Sequence, residues 1–450
     1  MVLPHLPLYI LLLSLSPHHC TSLSQSSTHG DPLLHTTLPS VTAAGPILEG
    51  RPFVVVWNMP TARCQERYDV HLNLGDFDIV ENRRQRFQGQ RMTIFYRDRL
   101  GLYPYLSQDG REVNGGIPQL GDLAAHLSLT GMQMSSLLQP NFTGLGVIDW
   151  EEWQPIWETN FGTKMEYRRL SKELVKRKSP DLSDRAVTSL ARQEFEESTQ
   201  KFMEETLQLA VSHHPKGLWG FYGFPVCFNK HKRKTDESYT GRCHRGTRQQ
   251  NDRLSWLWRQ STALYPSIYL PQRGVTDAPL MVRHRVLEAL RVASLWRHSS
   301  NTNHSTPVLP YARLAFRHTL NFLNKTDLVH TLGESASLGA AGVVLWGELK
   351  FAKSKNQCIL LRDYVHTVLG PFIRTLRSDT LHCSLQLCHG NGRCTRRRRN
   401  SGHMVSLGQA IITDPHDFTS NKPFYGHFKC HCYPGWTGQK CQVMVKDETT

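Results

Sequence analysis

Acidic residues are scarce in this sequence relative to basic ones. Its 450 residues include 38 Asp and Glu against 53 Lys and Arg, which gives a formal net charge of +15. A surface of this kind favours polyanionic partners: nucleic acid, anionic lipid or acidic polysaccharide. Because the sequence contains no nucleic-acid-binding motif, we expect no nucleic-acid partner.

Long apolar runs are also missing after the first residues. The run from Leu6 to Ser16 is too short to span a bilayer and is typical of a signal-peptide core. We therefore expect a signal peptide over residues 1–22 and a flexible leader, rich in Ser, Thr, His and Pro, over residues 23–45. A second run of membrane-spanning length is absent and residues 443–450 form a polar tail, so no membrane anchor is expected.

The sequence also lacks the clustered ligands of a metal site, because its histidines are scattered and its cysteines are accounted for by disulfides. Cys20 falls at the end of the signal segment and is removed with it. Ten cysteines remain, and an even number behind a signal peptide indicates an oxidising compartment and five disulfides. They are Cys64, Cys227, Cys243, Cys358, Cys383, Cys388, Cys394, Cys430, Cys432 and Cys441. Neither a metal nor a cofactor is expected.

Three N-glycosylation sequons, at Asn141, Asn303 and Asn324, support the same compartment. Each sequon alone is weak evidence. Together with the signal segment and the even cysteine count, they predict a glycoprotein of the secretory pathway, either secreted or lysosomal.

Apolar strands alternate with amphipathic helices over residues 46–378, and this order predicts an α/β fold with a parallel sheet. The predicted strands are 53–58, 92–96, 146–153, 217–225, 267–270, 308–314 and 342–346. The predicted helices are 120–138, 164–213 with a break near Pro180, 251–263, 282–296, 327–341 and 358–376 with a kink at Pro371. In a β/α barrel, the carboxyl ends of such strands converge on the face that carries the active site.

The strand that begins at Gly146 ends in acidic residues. Side chains at alternate positions of a strand point to the same side, so Asp149 and Glu151 are expected to face one way, and Trp150 and Glu152 the other. Two carboxyl groups so close do not ionise independently, and one that stays protonated suits a general acid. Cleavage of a glycosidic bond needs such an acid. A solvated acidic turn is the alternative.

Several predicted strands end in polar or aromatic residues. These are Asn58, Tyr96, Asp149, Tyr222, Tyr269 and Trp346. An aromatic-lined groove beside two carboxylates suits a sugar chain, because the faces of pyranose rings stack on aromatic rings. Each aromatic alone fits an ordinary core position equally well, but the group as a whole favours the groove.

The cysteine spacing near the C-terminus is typical of an EGF-like module, which we place at residues 379–442. Cys383-x4-Cys388-x5-Cys394 precedes a long insert, and Cys430-x-Cys432-x8-Cys441 follows it. The likeness to EGF-like modules implies the pairs 383–394, 388–430 and 432–441, which the spacing alone does not fix. Arg396 to Arg399 lies in the insert, where a solvated loop is expected, with a polyanion contact or a processing site as alternatives.

Seven stretches of the chain together resemble the animal hyaluronidases, which include vertebrate and venom enzymes. They are 58–60, 92–96, 115–118, 147–153, 217–225, 263–269 and 339–346, reading NMP, MTIFY, GGIP, VIDWEEW, GLWGFYGFP, ALYPSIY and GAAGVVLW. The resemblance extends from about Pro46 to Cys441 and includes the C-terminal module of the vertebrate members.

The resemblance implies a distorted (β/α) barrel and an endo-β-N-acetylhexosaminidase that hydrolyses β-1,4 bonds of hyaluronan, with chondroitin as a second candidate substrate. It implies a retaining mechanism in which the substrate's acetamido oxygen is the nucleophile. Glu151 would be the general acid and base, and Asp149 would orient the acetamido group. The expected substrate-binding residues are Tyr96, Tyr222, Tyr269 and Trp346. The expected barrel disulfides are Cys64–Cys358 and Cys227–Cys243, and a monomer is expected.

Two positions depart from the family pattern. Gln154 stands where an Arg is usual, and Arg317 stands where the lysosomal-type enzyme has an Asp. A second hypothesis therefore stays open, namely a weakly active or inactive paralogue that binds hyaluronan. A third, an adhesion or signalling protein acting through the C-terminal module, has weak support because a single module follows a large domain.

Overall fold

The computed structural model describes residues 42–82, 86–229, 238–272, 277–295, 304–405 and 424–445. The predicted signal peptide, the leader as far as residue 41, Cys20, Asn303 and residues 446–450 of the polar tail lie outside these ranges. Of the other two sequons, Asn141 is exposed, and Asn324 is exposed at the N-cap of a helix. Within the described ranges, no helix combines the length and the hydropathy that crossing a membrane requires.

The strands and helices follow one another along the chain as the alternating pattern predicts. The strands are β1 (Val54–Asn58), β2 (Ile79–Val80), β3 (Met92–Tyr96), β4 (Tyr105–Leu106), β5 (Glu112–Val113), β6 (Leu145–Asp149), β7 (Leu218–Phe221), β8 (Tyr311–Ala312), β9 (Gly342–Trp346), β10 (Gly392–Arg396), β11 (Phe428–Cys432), β12 (Trp436–Thr437) and β13 (Val443–Met444). The helices are α1 (Ala62–Tyr68), α2 (Leu123–Leu137), α3 (Met165–Lys178), α4 (Asp184–His213), α5 (Arg245–Arg253), α6 (Ser255–Gln260), α7 (Ala278–Leu295), α8 (Lys325–Leu328), α9 (Glu334–Ser337), α10 (Lys355–Tyr364) and α11 (Gly370–Cys388).

The strands of the main body pair in parallel. One sheet has the order β2-β1-β9-β8 and another has the order β3-β6-β7. Parallel bridges at Tyr222–Tyr265, Leu264–Val308 and Ser267–Tyr311 connect β7 to β8 and so join the two sheets. Strands β1, β6 and β9 are apolar on both faces because helices or other strands cover both sides.

Two predicted strands are much shorter in the structure. Residues 267–270 form only an isolated bridge, and of residues 308–314 only Tyr311 and Ala312 form a strand. Proline explains the difference, because Pro266, Pro307 and Pro310 have no N–H to donate to a neighbouring strand. The carbonyl group of Pro266 still accepts a hydrogen bond from Tyr311 at 2.8 Å, so the parallel order is kept.

The helices also refine the prediction. The break near Pro180 is present, since α3 ends at Lys178 and Ser183 caps α4 by accepting a hydrogen bond from the Ala186 N–H at 3.3 Å. The predicted closing helix is α10 and α11, joined by a π-helical turn at Val365–Leu369. Helix α11 continues through residues 378 and 379, where the sequence analysis places the border between the two domains.

Five disulfides join the ten cysteines of the described chain. They are Cys64–Cys358, Cys227–Cys243, Cys383–Cys394, Cys388–Cys430 and Cys432–Cys441, the same pairs that the resemblances imply. The first joins residues 294 positions apart and ties α1 to α10. The last three tie together the C-terminal segment, residues 383–441. Cys383, Cys388 and Cys394 pack in the same apolar cluster as β1 and β9, so this segment shares a core with the main body.

The expectation of a solvated loop at Arg396–Arg399 is wrong for its first residue. Arg396 lies in β10 with a fully buried side chain, and its guanidinium donates to both carboxylate oxygens of Glu334, at 2.9 and 2.8 Å. Arg283 donates to the same carboxylate at 2.7 Å. Burial opposes ionisation of Glu334, but the two arginines hold its pKa below the usual range. The following three arginines are exposed.

Replacing Arg396 should destabilise the whole protein. In Arg396→Met, the free energy of unfolding should fall by about 3 kcal/mol, because the variant leaves a buried carboxylate with one cation instead of two. The exposed neighbour Arg397→Met is the matched control and should change it by less than about 0.5 kcal/mol. Chemical denaturation measures both values, and equal stabilities would contradict the role assigned to the ion pair.

Candidate active site

A cleft of about 570 Å³ lies at the carboxyl ends of the parallel strands. All six residues that the sequence analysis assigns to catalysis and substrate binding line it: Tyr96, Asp149, Glu151, Tyr222, Tyr269 and Trp346. Strand register brings them together, because Tyr96 at the end of β3 lies opposite Asp149 at the end of β6. Asn58 lies opposite Trp346 but is buried beneath the cleft surface and is not one of its lining residues.

The two carboxyl groups both have raised pKa values. Burial raises the pKa of Asp149, the negative charge of Glu151 raises it further, and Arg97 opposes the shift. One carboxylate oxygen of Asp149, Oδ1, is buried and has no hydrogen-bond partner among the described residues. Burial within the cleft also raises the pKa of Glu151, although its side chain is accessible to water there, and Lys164 and Arg317 lower it. Both groups therefore hold a proton at higher pH than ordinary carboxyl groups do.

The alternation predicted for the acidic run holds through Glu151, two residues beyond the end of β6, and fails at Glu152. Trp150 turns away from the cleft and stacks on Tyr103, with ring centroids 4.5 Å apart. Glu152, however, lines the cleft and forms an ion pair with Arg97. The prediction for Glu152 is wrong because β6 ends at Asp149, and residues beyond a strand's end no longer have to alternate.

The aromatic residues form one connected wall. Tyr269 stacks on Trp346 with ring centroids 6.2 Å apart and planes at 14°, and Tyr222 lies 6.1 Å from Tyr269. The indole N–H of Trp346 donates to the Tyr96 hydroxyl at 3.1 Å. Burial raises the pKa of Tyr222 to about 12, and the charge of Glu151 adds to the shift. The Tyr222 hydroxyl therefore keeps its proton, which it donates to the Ser267 hydroxyl at 3.4 Å, a long bond that a ligand oxygen could replace.

Sequence reasoning missed four further residues beside the cleft. Arg313 and Glu348 form an ion pair at 2.7 Å, and the Arg313 guanidinium lies 5.6 Å from the ring centroids of both Tyr269 and Trp346. Tyr311 packs edge-on against Tyr222 at 4.9 Å. Lys164 donates to the main-chain carbonyl of Glu151. The strand-end rule missed Tyr311 because the predicted strand, 308–314, runs past it, whereas the observed strand is only Tyr311–Ala312. Lys164 gives no comparable signal, because it follows a loop.

The two positions that depart from the family pattern lie in different places. Arg317 lines the cleft, whereas Gln154 is not one of its lining residues. The main chain of Gln154 is held by Asn160, which accepts from its N–H at 2.8 Å and donates to its carbonyl at 2.9 Å. Of the two departures, only the Arg317 side chain is therefore in position to meet a ligand in the cleft.

Comparison with known proteins places this arrangement in a family. A family model described as hyaluronidase, of the glycoside hydrolase 56 group, matches residues 42–445. The chain belongs to the hyaluronidase family. It is therefore a glycoside hydrolase by descent, and the matched range includes the whole cleft and the C-terminal segment.

Individual hyaluronidases match most of the chain. Human hyaluronidase-3 is 44% identical over 398 residues, which is 88% of this chain and 92% of that protein. Human hyaluronidase-1 is 42% identical over 414 residues, which is 88% of this chain and 94% of that protein. The crystal structure of bee venom hyaluronidase in complex with a hyaluronic acid tetramer has 32% identity and a TM-score of 0.61, and the match covers 72% of this chain and 98% of the bee chain.

The ion pair behind the aromatic wall should be important for stability. Burial alone would raise the pKa of Glu348, but hydrogen bonds from Arg313 and Lys350 lower it to about 2. In Glu348→Gln, the buried Arg313 guanidinium loses its charged acceptor, and the free energy of unfolding should fall by about 2 kcal/mol.

Lys350→Gln is the matched control, because it removes the other partner of Glu348. About a third of the Lys350 side chain is exposed, so the loss should stay below about 1 kcal/mol. Urea denaturation compares the two variants. A larger loss for Lys350→Gln than for Glu348→Gln would contradict this account.

Proposed function

We propose that this hyaluronidase-family chain hydrolyses the β-1,4 bonds of hyaluronan from within the polymer, as an endo-β-N-acetylhexosaminidase. The observation that carries the proposal is the pair Asp149 and Glu151 at the base of an aromatic cleft, in a chain similar to a hyaluronidase crystallised with a hyaluronic acid tetramer. The formal charge of +15 suits an anionic polysaccharide. Chondroitin, which has the same alternation of acidic and N-acetylated sugars, is a second candidate substrate.

Glu151 is the general acid and base of the proposed reaction. Its raised pKa keeps it protonated at higher pH than an ordinary glutamic acid, and the protonated form donates its proton to the glycosidic oxygen as the bond to the anomeric carbon breaks. The acetamido oxygen of the substrate attacks the anomeric carbon from the opposite face. Water then displaces the acetamido oxygen, and the two inversions together retain the configuration of that carbon. Glu151, now ionised, takes a proton from that water and returns to its starting state.

Asp149 supports the nucleophile in this scheme. Its buried Oδ1 atom has no protein partner in the described chain and is available to accept a hydrogen bond from the acetamido N–H. This bond would orient the acetamido oxygen towards the anomeric carbon. A carboxylate there also stabilises the positive charge that the acetamido group acquires during attack.

The aromatic wall positions the sugar. The Tyr222 hydroxyl keeps its proton and donates to the acetamido group, while the Trp346 ring packs against the acetyl methyl. Tyr269 holds Trp346 by stacking, and Tyr96 accepts the indole N–H and lines the groove. Rigid rings cost little entropy on binding, so they favour a single sugar orientation.

The remaining expectations belong to the same proposal. The parallel strands joined through the Tyr222–Tyr265 and Leu264–Val308 bridges suit a distorted barrel. Three disulfides within 383–441 suit an EGF-like module.

Five disulfides support passage through the secretory pathway to a secreted or lysosomal destination. At the helix cap of Asn324 the side-chain oxygen accepts the hydrogen bond, which suits a glycan on its nitrogen.

Loss of the general acid tests the function. Glu151→Gln should lower turnover of long-chain hyaluronan at least about a hundredfold, because a carboxamide cannot donate the proton. Wild-type activity should fall as the pH rises through the Glu151 pKa, since the acid is then ionised. A reducing-end assay from about pH 3.5 to 7.5 measures both effects.

The control is Glu173→Gln, which makes the same substitution at an exposed helical residue outside the cleft. It should keep wild-type activity. If wild-type protein binds a hyaluronan column but depolymerises nothing at any pH, the chain is the hyaluronan-binding paralogue instead. Activity retained in Glu151→Gln would assign the acid to another residue.

A further inference from the structure

Arg317 is carried into the cleft by a short hairpin between residues 315 and 322. Ala315 and Phe322 form an antiparallel bridge, and the Thr319 N–H donates to the Phe316 carbonyl at 3.1 Å. The Arg317 N–H donates to the Leu270 carbonyl at 2.9 Å, which ties the hairpin to the strand end that carries Tyr269. The position of Arg317 is therefore set by main-chain bonds, and its side chain is left to face the cleft.

The other arginines beside the cleft, and Lys164, each have at least one acceptor. Arg97 is paired with Glu152, and Arg313 is paired with Glu348. Arg99 donates to the Arg86 carbonyl at 2.7 Å, and Lys164 donates to the Glu151 carbonyl. The guanidinium of Arg317, in contrast, has no acceptor among the residues that the structure describes. It is the cleft cation with all its donors available for a ligand.

In the described part of the chain, Arg317 is one of two cations close to Glu151 in the cleft. Asp149 and Tyr222 face Glu151 from β6 and from the end of β7, and Lys164 and Arg317 are the cations near it. Asp149 and Glu151 both hold their protons more tightly than usual carboxyl groups. The pair therefore offers less negative charge to balance Arg317 than two ordinary carboxylates would.

We propose that Arg317 binds the uronate carboxylate of the substrate and so selects polysaccharides that carry this charge beside the cleaved sugar. The inference rests on the proposed function. A planar guanidinium with free donors matches a carboxylate in shape and charge, and such charge-assisted bonds are stronger than neutral ones. Arg317 is a specificity residue in this account and takes no part in proton transfer.

Binding of a carboxylate at Arg317 should also raise the pKa of the general acid, Glu151. The positive charge of Arg317 stabilises ionised Glu151 and lowers its pKa. Once the substrate carboxylate neutralises Arg317, that stabilisation weakens, and the pKa of Glu151 rises in the complex. The acid is then protonated most fully when the correct substrate is bound. As the pH rises, kcat should accordingly fall at a higher pH than kcat/KM does; these two falls are the basic limbs of the pH profiles.

The test compares full-chain wild type, Arg317→Ala and Arg317→Lys on hyaluronan and on hyaluronan whose carboxyl groups have been reduced to alcohols. Arg317→Ala should raise KM for hyaluronan about tenfold, the loss expected of one charged hydrogen-bonded contact, and change kcat little. It should leave KM for the reduced polymer unchanged. Arg317→Lys should recover part of the affinity, because it keeps the charge but not the planar geometry.

The pH profiles give a second readout. Arg317→Ala should move the basic limb of kcat/KM to higher pH and remove its separation from that of kcat. Arg185→Ala, which removes one exposed positive charge from α4, is the control for net charge and should change neither KM nor the profile.

Three results would overturn the inference. The first is an equal rise in KM for both polymers in Arg317→Ala. The second is a fall in kcat without a rise in KM. The third is a loss of affinity for sulfated chondroitin alone, which would assign the contact to a sulfate ester. Failure of the proposed function would look different, because wild-type protein would then cleave neither polymer. If wild type is active and Arg317→Ala matches it on hyaluronan, only the inference about Arg317 fails.

Discussion

Parallel pairing of short buried strands is the constraint on which the cleft depends. Strands that run in the same direction end at the same edge, so the residue after the last buried position of each strand meets its counterparts there. The register that sets Tyr96 opposite Asp149 and Asn58 opposite Trp346 gathers residues that lie far apart in the chain. A one-residue slip would turn their side chains to the other face. The apolar strand interiors that fix the register therefore also fix the geometry of the candidate active site.

Around this edge, several charged side chains are paired with a partner of opposite charge. Glu348 holds Arg313 behind the aromatic wall, and Glu152 holds Arg97 beside the acidic residues. The carboxyl groups of Asp149 and Glu151 lack a direct ion-pair partner among the described residues, and their burial raises their pKa values. The protein environment thus pairs Arg97 and Arg313 with carboxylates and leaves Asp149 and Glu151 with raised pKa values. That contrast separates structural carboxylates from groups suited to proton transfer.

The C-terminal segment, residues 383–441, also contributes to a buried cluster of paired charges. Its strand β10 inserts Arg396 beside Glu334, and Arg283 completes a buried cluster that links this segment with α7 and α9. Helix α11 runs from the main body into the segment, and Cys383 and Cys388 on this helix pack in the common core. Shared core and shared charge make the segment part of the body on which the cleft is built.

The sequence by itself determined the order of the main strands and helices, the ten paired cysteines and six of the residues that line the cleft. It could do so because buried strands are marked by β-branched runs and because active residues follow directly where those runs end. It failed at Tyr311, where the predicted strand runs past the observed one, and at Glu152, which lies beyond the end of β6. Only the tertiary structure decided that Arg396 is buried, that Lys164 contacts Glu151 and that Arg317 is free to meet a ligand. Contacts of this kind join residues far apart in the chain, and no local pattern of side chains encodes which charge will meet which partner.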